Sequence, residues 1–399
     1  MPEFPYSRLR RWPDVEADNL QAHDATDLLL VDRAVSLAAE RGLDGTRIVV
    51  IGDEYGAITL ALGHAGFRGI RVHQDLATGR RALARNAEEL GISGFTAHEL
   101  DRALLDDARL VLLQLPKALA ELEEIADAVA RWAAPDVVLV AGGRVKHMTL
   151  AQNDVLARSF AVVQPQRAER KSRLLVATEP RRVPEIPPFP VAATHEGLTL
   201  VAHGGAFAGA RLDIGTRVLL DALGLFGGAD SSPTHGAEAG ADSAPTPAGE
   251  DAVASRTVLD LGCGTGALAV SYARAHPDAR VIATDRSAAA VASARATVAA
   301  NRVADRVEVV HDDAASAVPD ASVDVVLLNP PFHLGTSIHT GAATRLFAAA
   351  ARVLRPDGEL FTVFNSSLGY RAELTRLVGP TTQLHRTPKF TVTRSIRRP

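Results

Sequence analysis

The sequence has very little cysteine and no long apolar run. Its one cysteine, Cys263, excludes an internal disulfide and a metal site built from several cysteines. No stretch approaches the roughly 18–20 apolar residues of a membrane span, and the first residues lack the apolar core of a signal peptide. The sequence therefore predicts a cytoplasmic protein with no membrane segment and no metal site.

The chain also lacks a strong excess of either charge. Its net charge is −4 over 399 residues, so the protein as a whole is not a polycation. Basic residues nevertheless cluster in the segments 165–182 and 371–399. Such clusters can dock phosphate groups, or they can be a solvated arginine-rich surface; the charge pattern alone leaves both readings open.

Two segments have the composition of connectors and suggest how the chain is divided. Residues 179–190 hold five prolines and predict a semi-rigid spacer. Residues 227–255 consist mainly of Gly, Ala, Ser, Pro, Asp and Thr, which bury too little surface to fold. We expect a first domain at 1–178, a linker at 179–195 and a second domain at 196–399 that contains a disordered insertion at 227–255.

Both halves alternate short β-branched runs with alanine-rich helical stretches. In the second half, strands are predicted at 257–262, 280–285, 307–313, 323–329 and 359–365, with helices between them. This alternation predicts an α/β fold in which each half is a mostly parallel, doubly wound, Rossmann-like sheet. Ligands of such sheets bind at the carboxyl ends of the strands.

The two halves also match each other faintly. In the segments 48–62 and 258–272, Gly52 aligns with Gly262 and Gly56 with Gly266, whereas Val50 aligns with Asp260. A second alignment places Gln114 opposite Asn329, with Lys117 opposite Phe332. Two such matches in the same order predict a duplicated domain whose first copy has lost an acid, a glycine and an aromatic residue.

The segment "DLGCGTG" lies between a predicted strand and a predicted helix. Its glycines, Gly262, Gly264 and Gly266, let the backbone turn sharply and approach a ligand. A glycine-rich turn alone could also serve a dinucleotide. Here Asp260 precedes the loop, and a carboxylate suits a cationic ligand, such as the ammonium group of S-adenosylmethionine, better than a pyrophosphate.

Acids follow the next two strands as well. Asp285 ends the second strand, where a carboxylate can bind both ribose hydroxyls of an adenosine; a helix N-cap is the alternative. Asp312 and Asp313 end the third strand, where a side chain could accept a hydrogen bond from adenine, or could simply lie in a solvated turn.

The segment "NPPF", residues 329–332, closes the fourth predicted strand. Proline cannot continue a central strand because it lacks an N–H group. The side-chain oxygen of Asn329 and the carbonyl of Pro330 could each accept one N–H of an aromatic amine, and the prolines would fix their geometry. Phe332 could stack on an extruded base. The alternative is a strand-ending turn with a core phenylalanine.

Together these motifs resemble class I S-adenosylmethionine-dependent methyltransferases that act on exocyclic or amide nitrogens. The segments ARLDIGTRVLL, NPPFH, NSSLGY, PKFTV and LPK make the chain similar to bacterial ribosomal RNA guanine-N2 methyltransferases with a degenerate N-terminal copy. The resemblance implies base contacts from Asn329, Pro330 and Phe332. It implies cofactor contacts from the following residues: Asp260, Gly262, Gly264, Gly266, Asp285, Asp313 and, in the LDIGT element, Asp213.

The implied function is S-adenosylmethionine-dependent methylation of the N2 amine of a guanine, in 23S rather than 16S ribosomal RNA. The first copy would bind RNA, and two fused copies would let the protein act as a monomer. Three alternatives stay open: a 16S guanine-N2 methyltransferase, an N-methyltransferase of DNA adenine or protein glutamine, and a non-catalytic ribosome-assembly factor that binds RNA.

Overall fold

The computed structural model describes residues 3–17, 19–225, 255–331 and 337–399. Within it the chain forms two compact units. The first consists of Met1–Val191, Ala202–Gly209 and Arg286–Ser293, and the second of Ala192–Val201, Ala210–Asp285 and Ala294–Pro399. The predicted insertion, 227–255, lies outside the described residues except for Ser255, and the predicted domain boundaries stay a prediction.

The first half of the chain forms a seven-stranded sheet. Its strands are β1 (Ile48–Ile51), β2 (Ile70–His73), β3 (Phe95–Ala97), β4 (Leu110–Gln114), β5 (Val138–Arg144), β6 (Phe160–Pro165) and β7 (Ser172–Pro180). Its helices are α1 (Ala25–Arg41), α2 (Ala57–His64), α3 (Ala77–Leu90), α4 (Arg102–Leu105), α5 (Leu119–Trp132) and α6 (Leu150–Ser159). The strand order is β3-β2-β1-β4-β5-β7-β6, and β7 runs antiparallel to both its neighbours.

The second half begins with a two-stranded sheet of β8 (Val191–His195) and β9 (Leu198–Ala202). Its other strands are β10 (Thr257–Leu261), β11 (Arg280–Asp285), β12 (Val307–His311), β13 (Val323–Leu328), β14 (Leu354–Asn365), β15 (Thr381–Arg386) and β16 (Phe390–Ile396). Its helices are α7 (Ile214–Ala222), α8 (Ala267–Ala275), α9 (Ala288–Ala300), α10 (Ser337–Val353) and α11 (Arg371–Leu377).

These later strands form a second sheet in the order β12-β11-β10-β13-β14-β16-β15, which repeats the order of the first. Again the first five strands are parallel, and β16 is antiparallel to both its neighbours. The segment 179–195, predicted as a linker, contains the end of β7 and all of β8.

Helices cover both faces of each large sheet. Successive residues of a strand point to opposite faces, so neighbouring residues pack against different helices. Val50 packs with α1, α2 and α3, whereas its neighbour Val49 packs with α4, α5 and α6. In the second sheet Val258 packs with α7, α8 and α9, and Leu259 with α10 and α11. Two doubly wound α/β sheets are therefore present, as the sequence predicts. No helix among the described residues is both long and apolar enough to cross a bilayer.

Candidate active site

The glycine loop that follows β10 is open towards solvent. Gly262 and Gly266 have φ angles of +79° and +81°, which residues with a side chain rarely adopt. A Cβ atom added at Gly262 or at Gly264 would meet nothing within 4 Å. The carbonyl of Thr284 accepts hydrogen bonds from the amides of Gly262 (2.8 Å) and Cys263 (2.9 Å), so the loop is fixed to the end of β11. A ligand can thus approach the loop backbone closely.

Asp260, near the end of β10, has no exposed surface. Its Oδ2 accepts a hydrogen bond of 2.9 Å from the amide of Ala269 in α8. Its Oδ1 is buried and has no hydrogen-bond partner among the described residues. Burial, with a smaller contribution from the nearby Asp285 charge, raises the pKa of the carboxyl to about 7 against the opposing effect of the Ala269 hydrogen bond. One carboxylate oxygen is therefore left for a ligand.

Asp285, the last residue of β11, lies beside the same loop. Its Oδ2 accepts a hydrogen bond of 2.9 Å from the amide of Gly264. This contact holds the middle of the loop against the second strand. The predicted binding of ribose hydroxyls by Asp285 stays a prediction.

The two acids after β12 do not lie in a solvated turn. Asp312 is 2% exposed and accepts hydrogen bonds from the Ser316 hydroxyl (2.5 Å) and the Ala317 amide (2.8 Å). Asp313 is 8% exposed and forms an ion pair with Arg345 of α10. The solvated-turn interpretation is wrong for both residues, and a cofactor contact from Asp313 stays a prediction.

Asn329 directly follows β13, and its amide is held on one side only. Its Nδ2 donates hydrogen bonds to Asp213 Oδ2 (3.0 Å) and Thr216 Oγ1 (2.9 Å). Because a carboxylate can only accept, the amide nitrogen must face Asp213. The Oδ1 atom is consequently turned away, and it is buried with no partner within the described part of the chain.

The predicted site residues meet at one edge of the second sheet. Asp260 in β10 pairs with Leu327 in β13. Asn329 lies two residues after Leu327, so Asp260 and Asn329 are both at the carboxyl ends of these neighbouring strands. Pro330 is buried next to it. Phe332 and His333 lie outside the described residues. Asp213 is the N-cap of α7 and contacts Asn329, whereas a contact with the cofactor stays a prediction.

Sequence reasoning missed Thr216 and Gly215. The segment "LDIGT" contains the signal for both: an aspartate N-cap followed three residues later by a hydroxyl in the first helical turn. A Cβ atom at Gly215 would lie 3.1 Å from Asp213 Oδ2 and 3.3 Å from Asn329 Oδ1. Glycine therefore keeps the space beside the free amide oxygen clear.

Comparison with known proteins identifies the family. Residues 3–181 match a family model described as the RLMG N-terminal domain, and residues 248–394 match the methyltransferase small domain. A ribosomal RNA large subunit methyltransferase G from Streptomyces coelicolor is 34% identical over 400 residues, which cover 98% of this chain and 97% of that protein. The chain belongs to the ribosomal RNA large subunit methyltransferase G family. A further methyltransferase G, from Pseudomonas paraeruginosa, is 33% identical over 411 residues, covering 98% and 99% of the two chains.

A solved structure has the same architecture as this methyltransferase G family member. It is the Thermus thermophilus 16S rRNA N2 G1207 methyltransferase in complex with AdoMet and guanosine. The TM-score is 0.69 at 21% sequence identity, with 94% of this chain and 92% of that chain covered. At this identity the likeness concerns the fold, and it confirms the predicted class I methyltransferase architecture.

Proposed function

We propose that this protein transfers a methyl group from S-adenosylmethionine to the exocyclic N2 amine of one guanine in 23S ribosomal RNA. Membership of the methyltransferase G family supports the enzyme class, the cofactor and the RNA substrate. The observation of this chain that supports an N–H-bearing acceptor group is the buried and unpartnered Oδ1 of Asn329. The choice of the guanine N2 amine among such groups follows the resemblance of the motifs to guanine-N2 methyltransferases.

The residues around β10 fit S-adenosylmethionine. The open loop at Gly262 and Gly264 admits close backbone contact, and the free Oδ1 of Asp260 suits the ammonium group. Asp285 would hold the ribose hydroxyls, and Asp313 would lie towards the adenine. When bound, the cofactor supplies an electrophilic methyl carbon attached to a sulfonium.

Asn329 would receive the substrate amine. The lone pair of an aryl amine is delocalised into its ring, so the nitrogen is a weak nucleophile. Asn329 Oδ1 and the Pro330 carbonyl would each accept one N–H bond, which draws the nitrogen towards tetrahedral geometry and aims its lone pair. Phe332 would stack on the extruded base. The product nitrogen is positively charged and acidic, so its proton can leave without a strong base.

We also propose that the first copy binds RNA. The hairpin tip between β6 and β7 exposes Arg167, Arg170 and Lys171. Since Ser172, which follows the tip, pairs with Arg144 at the end of β5, the tip lies at the carboxyl edge of its sheet. Clustered cations at such an edge suit phosphate contacts. Arg181 is different, because its Nε donates to the carbonyls of Ala157 and Phe160, both at 3.2 Å.

The test is incubation of the purified protein with radiolabelled S-adenosylmethionine and separate substrates. These are naked 23S RNA, naked 16S RNA, assembled subunits of each size, DNA and a glutamine-bearing release factor. We expect label in one 23S guanine, which mass spectrometry of nuclease fragments would locate as an N2-methyl group.

Each other outcome has a distinct meaning. Label confined to 16S RNA, DNA or protein would overturn the choice of substrate. Binding of RNA with no labelling of any substrate, and no heat of cofactor binding in calorimetry, would favour a non-catalytic assembly factor. Light scattering of the active protein would test the further expectation that it is a monomer.

A further inference from the structure

We infer that Asp213 and Thr216 are positioning residues that orient and polarise the amide of Asn329 for catalysis. The inference rests on the proposed function, because it concerns the acceptor that would hold the substrate amine. The sequence suggests that Asp213 helps to form the cofactor pocket. The inference instead assigns Asp213 the role of orienting Asn329, the residue that would contact the substrate.

The orientation follows from the two acceptors that face the amide nitrogen. Asp213 Oδ2 lies 3.0 Å and Thr216 Oγ1 2.9 Å from Asn329 Nδ2, so both amide protons are used. A flipped amide would place its carbonyl oxygen against the carboxylate, with two lone pairs in repulsion and no donor between them. The Asp213 contact therefore selects the rotamer in which Oδ1 is the free atom, and the Thr216 hydroxyl, which can donate or accept, accepts the second amide proton.

The helix holds both acceptors in place. Asp213 Oδ2 also accepts a hydrogen bond of 3.1 Å from the Thr216 amide, which makes Asp213 the N-cap of α7. Thr216 is 8% exposed and packs with the helix face that covers the second sheet. The support is thus attached to regular structure rather than to a loop, and orientation of this kind is how positioning residues contribute to rate.

The carboxylate also has an electronic effect. A hydrogen bond from an amide N–H to an ionised acceptor shifts electron density towards the amide oxygen, and bonds in such a chain strengthen one another by about 10–30%. The chain here would run from the substrate N–H to Asn329 Oδ1, and from Asn329 Nδ2 to Asp213. A more negative Oδ1 withdraws the substrate proton more strongly and makes the amine more nucleophilic.

The other explanation for these contacts is helix docking without any part in catalysis. The first copy contains such a contact: Gln114, at the end of β4, donates to Asp27 in α1. There, however, Thr26 stands where the second copy has Gly215, and its hydroxyl is hydrogen-bonded to that of Ser172. A purely structural contact predicts an effect on stability and none on the methylation rate of the folded enzyme.

The decisive variant is Asp213→Asn in the full-length protein. Asparagine is an equally good N-cap. Its side-chain oxygen can take the place of Asp213 Oδ2 and accept hydrogen bonds from both the Thr216 amide and Asn329 Nδ2. These two contacts are then kept while the negative charge is removed. We expect kcat on 23S RNA to fall about 10-fold, with the dissociation constant of S-adenosylmethionine within 2-fold of the parent. Asp24→Asn changes the equivalent N-cap of α1 and should leave kcat unchanged.

The second variant pair tests the hydroxyl. Thr216→Val keeps the shape and removes the acceptor, so kcat should fall about 5-fold, and Thr216→Ser should restore at least half of the parental kcat. A purely structural role would make Thr216→Ser, which loses a buried methyl group, no better than Thr216→Val.

Three results separate the possible failures. If the parent protein methylates no RNA, the proposed function fails first. If the parent is active and Asp213→Asn retains its kcat, the positioning role is overturned. If instead Asp213→Asn binds S-adenosylmethionine 10-fold more weakly with kcat unchanged at saturation, Asp213 belongs to the cofactor pocket and the inference is wrong.

Discussion

The two copies of the fold differ most at the loop after their first strand. In the second copy, Cβ positions at Gly262 and Gly264 face open space. In the first copy, a Cβ at Gly52 would lie 3.3 Å from Gln114, and Glu54 stands where the second copy has Gly264. The same backbone turn is kept, with φ of +81° at Gly52, while the opening for a ligand is lost. Fold and ligand access are therefore separable in this architecture.

In the first copy an acid at a different position binds the start of the following helix. Val50 replaces Asp260, but Asp53 in the loop accepts hydrogen bonds from the amides of Ile58 (3.2 Å) and Thr59 (2.7 Å). Thr59 corresponds to Ala269, whose amide binds Asp260 in the second copy. The sequence comparison correctly places no acid at the Asp260 position of the first copy, but it misses that Asp53 binds the corresponding helix amide. In both copies a carboxylate therefore accepts a hydrogen bond from the equivalent helix amide. What distinguishes the second copy is that Asp260 keeps an Oδ1 with no partner among the described residues.

The chain itself fills the corresponding space in the first copy. The Arg11 guanidinium lies 4.7 Å above the Tyr55 ring, and the Tyr55 hydroxyl donates to Asp14 at 3.3 Å. Asn86 exchanges hydrogen bonds of 2.9 Å with the backbone of Arg10. The N-terminal segment thus covers a loop that in the second copy faces solvent, and this explains how a copy without ligand chemistry stays well packed.

The largest predicted difference between the copies concerns their two amides. Asn329→Ala removes the proposed acceptor and should lower kcat on 23S RNA about 100-fold, a loss typical of one oriented polar group in an active site. Gln114→Ala, its counterpart, should leave kcat within about 2-fold while lowering stability. Radiolabel transfer and urea unfolding measure the two effects. Equal rates for Asn329→Ala and the parent would remove the basis of the proposed mechanism.

The second comparison concerns the two buried acids next to the loops, Asp260 in the second copy and Asp53 in the first. A bound ammonium group favours the ionised form of Asp260, whose free-enzyme pKa is about 7, so binding should release a proton below that pH. S-adenosylmethionine affinity should then decrease as the pH falls from 7.5 to 6, and Asp260→Asn should weaken it about 10-fold at pH 7.5 and abolish the pH dependence. Asp53→Asn is the matched control.

Calorimetry in two buffers of different ionisation enthalpy counts the protons released. A parent protein that binds the cofactor equally well at both pH values would show that Asp260 does not contact the ammonium group.

Much of this fold could be predicted from the sequence because its signals are local. The β-branched and alanine-rich runs at 257–302 alternate clearly, and the observed β10, α8, β11 and α9 fall within one or two residues of prediction. The duplication was also visible, since the glycines of both loops are needed for the same positive φ angles. Strand β15 was not predicted, because its polar sequence, TTQLHR, is mostly exposed.

The site was only half predictable because its support comes from distant residues. The motif around Asn329 identifies the acceptor, but nothing in it shows that Asp213 and Thr216, more than 110 residues earlier, bind the amide nitrogen. Likewise, the ion pair of Asp313 depends on Arg345, which lies in α10. A sequence motif thus indicates which group reacts, whereas its orientation depends on contacts that only the fold defines.

We expect a smaller difference in methylation rate between substitutions at the second residue of α7 and at the second residue of α1. Gly215→Ala adds a methyl group 3.3 Å from Asn329 Oδ1, which is too close for a substrate amine to approach freely. We expect kcat to fall roughly 5-fold, whereas thermal stability should change little because the better helix propensity of alanine offsets the crowding. Thr26→Ala at the equivalent position in α1 is the control. Unchanged kcat for Gly215→Ala would mean that the substrate approaches Asn329 from another side.

The last prediction concerns Asp27, the residue of the first copy that corresponds to Thr216. Burial, together with the nearby Asp53 charge, raises the pKa of Asp27 to about 8 against the opposing effect of hydrogen bonds from the Asp24 amide and Gln114. In the unfolded chain the pKa is about 4. Between these values the unfolded state releases a proton that the folded state retains, so stability decreases as the pH rises from 4 to 8.

Asp27→Asn cannot ionise and should escape this loss. Its free energy of unfolding relative to the parent should therefore increase by about 1 kcal/mol or more between pH 5.5 and pH 8.5 in urea titrations. Asp24→Asn, a change at the half-exposed N-cap of the same helix, should show no comparable trend. A constant difference between Asp27→Asn and the parent at both pH values would mean that Asp27 is already ionised in the folded protein. In that case the first copy would keep a buried charge where the second copy has a neutral threonine.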